Sequence, residues 1–281
     1  MWIVRFGWFK RQAVFSFSAG LSGPAIVMVV ALLVSGQLAV WGHGSARSVV
    51  QSSPLFPGGT ILPLALDKTT SVSDAAAGQP IEARVMQEIP LPSDEKIPPK
   101  SWVKGSIVSV SKDEDGSGTK ITLKFNQVET KKEAFTVVTY LRAMASYKAV
   151  RAAQTPRSGA DGGTPTGWAD TVQIGGDVRF GDGGAVRDRA KQRVGTGVRG
   201  GVLSYIRANP ARGCDGPVPD QRAQALWVFS ADACGVYDLN GTTITRMGKG
   251  EPVGEFTLHF EKSDMKLEGG TAMLLRVVTQ P

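Results

Sequence analysis

The strongest constraint on the fold is a hydrophobic period of two that begins at Thr60. Ile121, Leu123 and Phe125 alternate with Thr122 and Lys124. Successive side chains of an extended chain point to opposite faces, so such a run buries one face and wets the other. Strand-sized runs are expected at Thr60–Leu66, Ile81–Ile89, Trp102–Ser111, Lys120–Val128 and Ala134–Arg142. Others are expected at Ala225–Ser230, Val236–Leu239, Thr242–Thr245, Glu255–Phe260 and Thr271–Val278. Asp115-Gly116, Ser117-Gly118 and Asn240-Gly241 supply tight hairpin turns between runs. Prolines 80, 90, 92, 98 and 99 mark strand ends, where a missing amide donor is tolerated. Leu141–Ala153, with several alanines, is the one segment that reads as a short helix. The pattern predicts a mainly β fold over residues 60–281, an antiparallel barrel or sandwich.

The middle of the chain departs from this pattern. Residues 159–201 contain 13 glycines, and residues 142–212 hold 12 basic against five acidic side chains. A glycine-rich, basic loop insertion is expected at about 150–215, with short strands at Thr171–Ile174 and Asp177–Phe180. Its own apolar surface is too small to offset its chain entropy, so part of it is expected to be disordered.

The N-terminus has another character. From Gln12 to Ala46 no residue is formally charged, and the densest apolar run is Pro24 to Trp41. Arg5, Lys10 and Arg11 precede it, which puts Met1 in the cytoplasm and the chain beyond Trp41 outside. Gly44-Ser45-Ala46 offers a signal-peptidase site, whereas the length of the run favours an uncleaved anchor. Both readings of residues 1–46 deliver residues 60–281 to the periplasm or cell envelope, through a linker at 47–59. Of the net charge of +7, these three residues supply +3, residues 142–212 +7 and the rest −3.

Export changes the expectation for Cys214 and Cys234, the only two cysteines. In an oxidising compartment an even pair forms a disulfide. A zinc site or a cysteine nucleophile lacks histidines, since His259 is the only one after residue 46. Gly195-Thr-Gly197-Val-Arg-Gly200 matches a dinucleotide-binding string, but the charged stretch before it is no buried strand. Asp113-Glu-Asp115-Gly-Ser117-Gly118 opens like a calcium loop, yet Lys124 stands where a bidentate glutamate is required. No cofactor, metal or catalytic residue is therefore assigned. His259 is expected on the wet face of its strand, and Trp102 and Trp227 as core anchors.

Three functional classes fit. The first is a non-enzymatic envelope protein that scaffolds or binds other envelope proteins. The second is an extracytoplasmic hydrolase using a carboxylate pair among Asp161, Asp170, Asp177 and Asp182. The third is a module for an anionic envelope polymer, with Arg187, Arg189, Lys191, Arg193 and Arg199 as candidate ligands. Nucleic acid is not expected, because few aromatics interleave the basic residues.

The strings PGGTILPLALDK (57–68), AGQPIEAR (77–84), QIGGD (173–177) and ALWVFSADACGVY (225–237) resemble those of exported soil-bacterial β-proteins with no assigned activity. Over about residues 57–130 the chain is also similar to the TrbI-like β-barrel of type IV secretion scaffolds. That resemblance is carried by Gly59-Thr60, Ser71 to Gly78, Ile81 to Gln87, Ile97-Pro98-Pro99-Lys100-Ser101 and Gly105. It implies a similar barrel behind a membrane segment and a proline-containing linker. The long proline-rich spacer of that family is missing here, and the glycine-rich insertion has no counterpart in it.

Overall fold

The computed structural model describes residues 56–92, 94–156 and 170–278. The apolar segment within residues 1–46, the linker before Phe56 and Asp161 lie outside the described residues. Among the described residues no helix is long and apolar enough to cross a membrane.

The chain opens with β1 (Ile61–Leu66), β2 (Thr70–Ser71), β3 (Pro80–Val85), β4 (Ile89–Pro90) and β5 (Lys96–Ile97). The long hairpin β6 (Trp102–Lys112) and β7 (Thr119–Glu129) follows, then β8 (Ala134–Thr136) and β9 (Thr139–Ala145). Helix α1 (Tyr147–Gln154) leads into β10 (Asp170–Val172), β11 (Val178–Phe180), β12 (Ala185–Arg187), β13 (Arg193–Val198), β14 (Gly201–Ser204) and β15 (Gln224–Ala225). The chain closes with β16 (Gly235–Tyr237), β17 (Thr242–Arg246), β18 (Phe256–Phe260), β19 (Lys266–Leu267) and β20 (Ala272–Val277).

The expected β fold is present. One large sheet runs in the order β16-β9-β20-β1-β3-β6-β7-β18-β17, with β8 paired to β7. Its ladders are antiparallel except β16 on β9, and its two ends lie beside each other, so the sheet is a nearly closed barrel. Leu62, Leu64, Val103, Ile121, Phe125, Leu141, Phe256 and Leu275 are among the side chains that fill its interior. The period of two is visible in β7 and β18: Ile121, Leu123 and Phe125 point inward, as do Phe256, Leu258 and Phe260.

Over residues 170–225 the structure corrects the expectation of a loop-rich insertion, while residues 157–169 of that stretch lie outside the described residues. Residues 170–225 form a six-stranded antiparallel meander, β10 to β15, longer at its C-terminal end than the expected 150–215 boundary. Its few apolar residues join a second core that is shared with the barrel. Val186, Val202, Ile206, Trp227 and Phe229 pack with Ile61, Ala65, Ala143 and Leu274 from the outer face of β1, β9 and β20. Entropy is thus offset by apolar surface that the insertion does not itself own.

Other boundaries moved for local reasons. Leu141–Ala145 is the end of β9, and the helix starts only at Tyr147. Ser146 caps it, its hydroxyl accepting from Ala149 N at 3.0 Å and donating to Asp238 at 2.6 Å. The run expected at Ala225–Ser230 stops being a strand after Ala225, and Trp227 takes a left-handed φ of 53°.

Candidate functional site

The four aspartates considered as a carboxylate pair serve different ends. Asp177 is buried beside β11, where Arg207 Nη2 donates to one oxygen at 2.9 Å and Ala231 N to the other at 2.7 Å. Burial raises its pKa, and the bonds from Ala231 and Arg207 oppose that shift without overcoming it. Arg207 also reaches Asp188 at 2.7 Å and Asp232 at 3.4 Å, making a charge hub under the sheet. Asp182 is exposed and pairs with Arg179 at 3.4 Å. It lines a depression of about 280 Å³ with Gln173 and Trp227, whereas Asp170 lines a different one. The described aspartates therefore form no convergent acid–base pair.

The basic candidates divide. Arg187, Arg189 and Lys191 line one depression of about 630 Å³, with Asp170, Gly176 and Phe180. A tight loop sets them there. Asp188 accepts from Gln192 N at 2.9 Å, and Lys191 adopts φ 63°. Arg187 donates to Lys191 O at 2.7 Å, which folds its guanidinium over the loop. Arg193 faces Arg187 across the β12–β13 ladder and donates to Thr196 Oγ1 at 2.9 Å. Arg199 lies past the far end of β13, about 20 Å further along an extended chain, and is separate from the group.

The barrel wall carries the remaining sequence features. The Asp113–Gly118 segment is a solvated hairpin tip. Asp113 lies 2.7 Å from His259 Nε2 and 3.0 Å from Lys120 Nζ, and those two contacts hold its carboxyl below the usual range. His259 is on the outer face of β18, as the alternation requires. No cluster of three or more metal-ligating side chains occurs among the described residues. Gly195 and Gly197 sit within β13, where an added Cβ would strike Ser204 Oγ and Gly181 O, so they serve close strand packing. Trp227 is buried in the shared core. Trp102 is only partly buried, with the Arg84 guanidinium over its ring. It opens onto a groove of about 910 Å³ that also takes in Pro98, Pro99 and Phe135.

Cys214 and Cys234 are disulfide-bonded, as expected, with Cα atoms 6.0 Å apart. The bond stands over a fully buried arginine that sequence reasoning did not single out. Between Leu141 and Ala143 the β9–β20 register slips, leaving Arg142 as an extra residue in the ladder. Its guanidinium then donates to the carbonyls of Ala233, Arg207 and Asp215 in the loops of the insertion. Burial pushes its pKa down to about 10, so it remains charged at neutral pH. Arg276 on β20 reaches Gly216 O and Pro217 O in the same loop, and Tyr140 donates to Asp215 at 2.9 Å. A lone arginine inside the apolar run Tyr140–Ala145 is the sequence signal for this clamp. For Asp170, Gly176 and Phe180 there is none, because only folding brings them to the basic loop.

No protein-family model matches the chain, and neither the curated proteins nor the solved structures contain a match to it.

Proposed function

We propose that this is an exported cell-envelope protein with a non-enzymatic scaffolding or binding role. The observation that carries the proposal is the Cys214–Cys234 disulfide. Such bonds persist in oxidising compartments and are rare in the cytosol, and this one ties the insertion to the barrel. Support for a non-enzymatic role comes from the fate of the aspartates. Asp177 is spent on Arg207 and Ala231, and Asp170 and Asp182 open onto separate depressions. The nearly closed barrel is compatible with a TrbI-like scaffold behind an N-terminal membrane segment or signal peptide. Binding of an anionic envelope polymer is the second reading, favoured by the convergence of Arg187, Arg189 and Lys191.

The test is fractionation of cells expressing the full chain, with thiols trapped at lysis and the envelope fraction cross-linked. The expected result is an envelope protein with both cysteines protected from the trap and with cross-linked envelope partners. A cytosolic chain with both cysteines alkylated overturns export and the role with it.

A further inference from the structure

We propose that the depression on the insertion sheet binds an acidic sugar unit of an anionic glycan. The proposal rests on the reading of the chain as an exported binding protein and names the ligand class.

Three chemistries meet in this depression. The first is an excess of positive charge: Arg187, Arg189 and Lys191 line the depression against the carboxylates of Asp170 and Asp188. Among the described residues Arg189 and Lys191 have no ion-pair partner, and the nearby acid Asp188 is already engaged by Gln192 N and Arg207. The second is an aromatic surface. Phe180 is 39 % exposed at the end of β11, and large apolar side chains are seldom so exposed among the described residues. The third is the carboxylate of Asp170, which faces Phe180 across the β10–β11 ladder.

Each chemistry selects. Cations attract any anion, but the Asp170 carboxylate repels a dense run of phosphates. It favours a ligand whose hydroxyl groups donate beside its own charge. A sugar ring offers an apolar C–H face to an aromatic side chain, and one ring suffices for one sugar. Nucleic acid would need several stacking rings along a track. The volume of about 630 Å³ lies within the ordinary range of small-ligand sites.

The placement of Arg189 is built in. Gly176 has φ 107°, and a Cβ there would lie 2.9 Å from Arg189 Nε. Only glycine both adopts that backbone and lets the guanidinium lie against it. Glycine at 176 therefore sets the turn and leaves room for the guanidinium beside it.

The test is calorimetric titration of the purified full-length chain with tetragalacturonate, with neutral maltotetraose and with inorganic polyphosphate. Wild type is expected to bind tetragalacturonate, and maltotetraose at least about tenfold more weakly. Arg189→Gln/Lys191→Gln is expected to lower tetragalacturonate affinity about tenfold or more, and Phe180→Ala about fivefold, with melting temperatures within a few degrees of wild type. Equal tetragalacturonate affinity in Arg189→Gln/Lys191→Gln overturns the site. Tighter polyphosphate than tetragalacturonate binding, with no effect of Phe180→Ala on either, makes the patch a general polyanion surface and overturns the sugar assignment. Sugar binding by a chain that fractionates with the cytosol keeps the site and breaks export, so the two failures are distinguishable.

Discussion

Strands β1, β9 and β20 are buried at every position, whereas β7 and β18 alternate between buried and more exposed residues and β6 is buried only at Val103 and Ile107. Both groups belong to one sheet and enclose one interior. They differ in what lies outside them. The first group is covered by the insertion and its outward residues Ile61, Ala143 and Leu274 enter a second core. The outward residues of the second group, such as Thr122, Thr257 and His259, meet solvent or one another. The covered wall also carries the polar clamps. Gln87 and Gln224 bond across to Val202, Trp227 and Ile61, and Arg142 and Arg276 hold the disulfide loop. The lesson is that the same strand period can serve one core or two, and the neighbouring layer decides which.

The largest expected effect is at Arg142. Arg142→Met strands three carbonyls that are now satisfied, and is expected to destabilise by about 4 kcal/mol in urea unfolding. Lys124→Ala on the open wall is expected to change stability by less than about 0.5 kcal/mol. A cost below about 1 kcal/mol at Arg142 would erase the contrast.

Next is the disulfide. Cys214→Ser/Cys234→Ser is expected to cost about 3 kcal/mol by freeing the enclosed loop in the unfolded chain. Hydrogen exchange should quicken first in β10–β15, while β6 and β7 keep their protection. Equal loss in both places would mean that the insertion and the barrel unfold as one unit.

The charge hub is worth less. Asp177→Asn removes a carboxylate that burial already disfavours, but keeps an acceptor for only one of Arg207 and Ala231 and sets its amide NH2 against the other donor. A cost of about 1 kcal/mol is expected from the weakened bonds. His259→Gln on the open wall should fall below the resolution of the same measurement.

The remaining comparison is a pH dependence. Burial, the largest cause, raises the Tyr140 pKa to about 12 from the ordinary 10.0. The folded state then holds this proton longer than the unfolded chain. Its contribution is complete below pH 10 and is lost as pH rises toward 12. Between those values the melting temperature of wild type should fall more steeply than that of Tyr140→Phe. Parallel curves would place Tyr140 outside the covered wall's energetics.

Much of the barrel was legible because alternation is a local signal. Ile121, Leu123 and Phe125 name their own faces, Asn240-Gly241 names its turn, and Cys214 names Cys234 once only two cysteines exist. The insertion was misread for one physical reason. Its entropy was weighed against its own apolar residues, while six of the nineteen buried residues of the core it enters belong to β1, β9 and β20. The basic loop was legible as charge, but its division was not. Arg199 is close to Arg193 in sequence and separated from it by the length of β13, while Asp170 and Phe180 are brought to the loop by pairing.

Residue type and spacing alone set the barrel strands, their antiparallel character, the cysteine pair and the concentration of positive charge in the middle of the chain. Both act over a few residues. Which wall of the barrel is doubly buried, that Arg142 is a clamp, and which of the cations share a depression were settled by folding. Those depend on surfaces far apart in the chain, and a surface has no burial until its partner has folded against it.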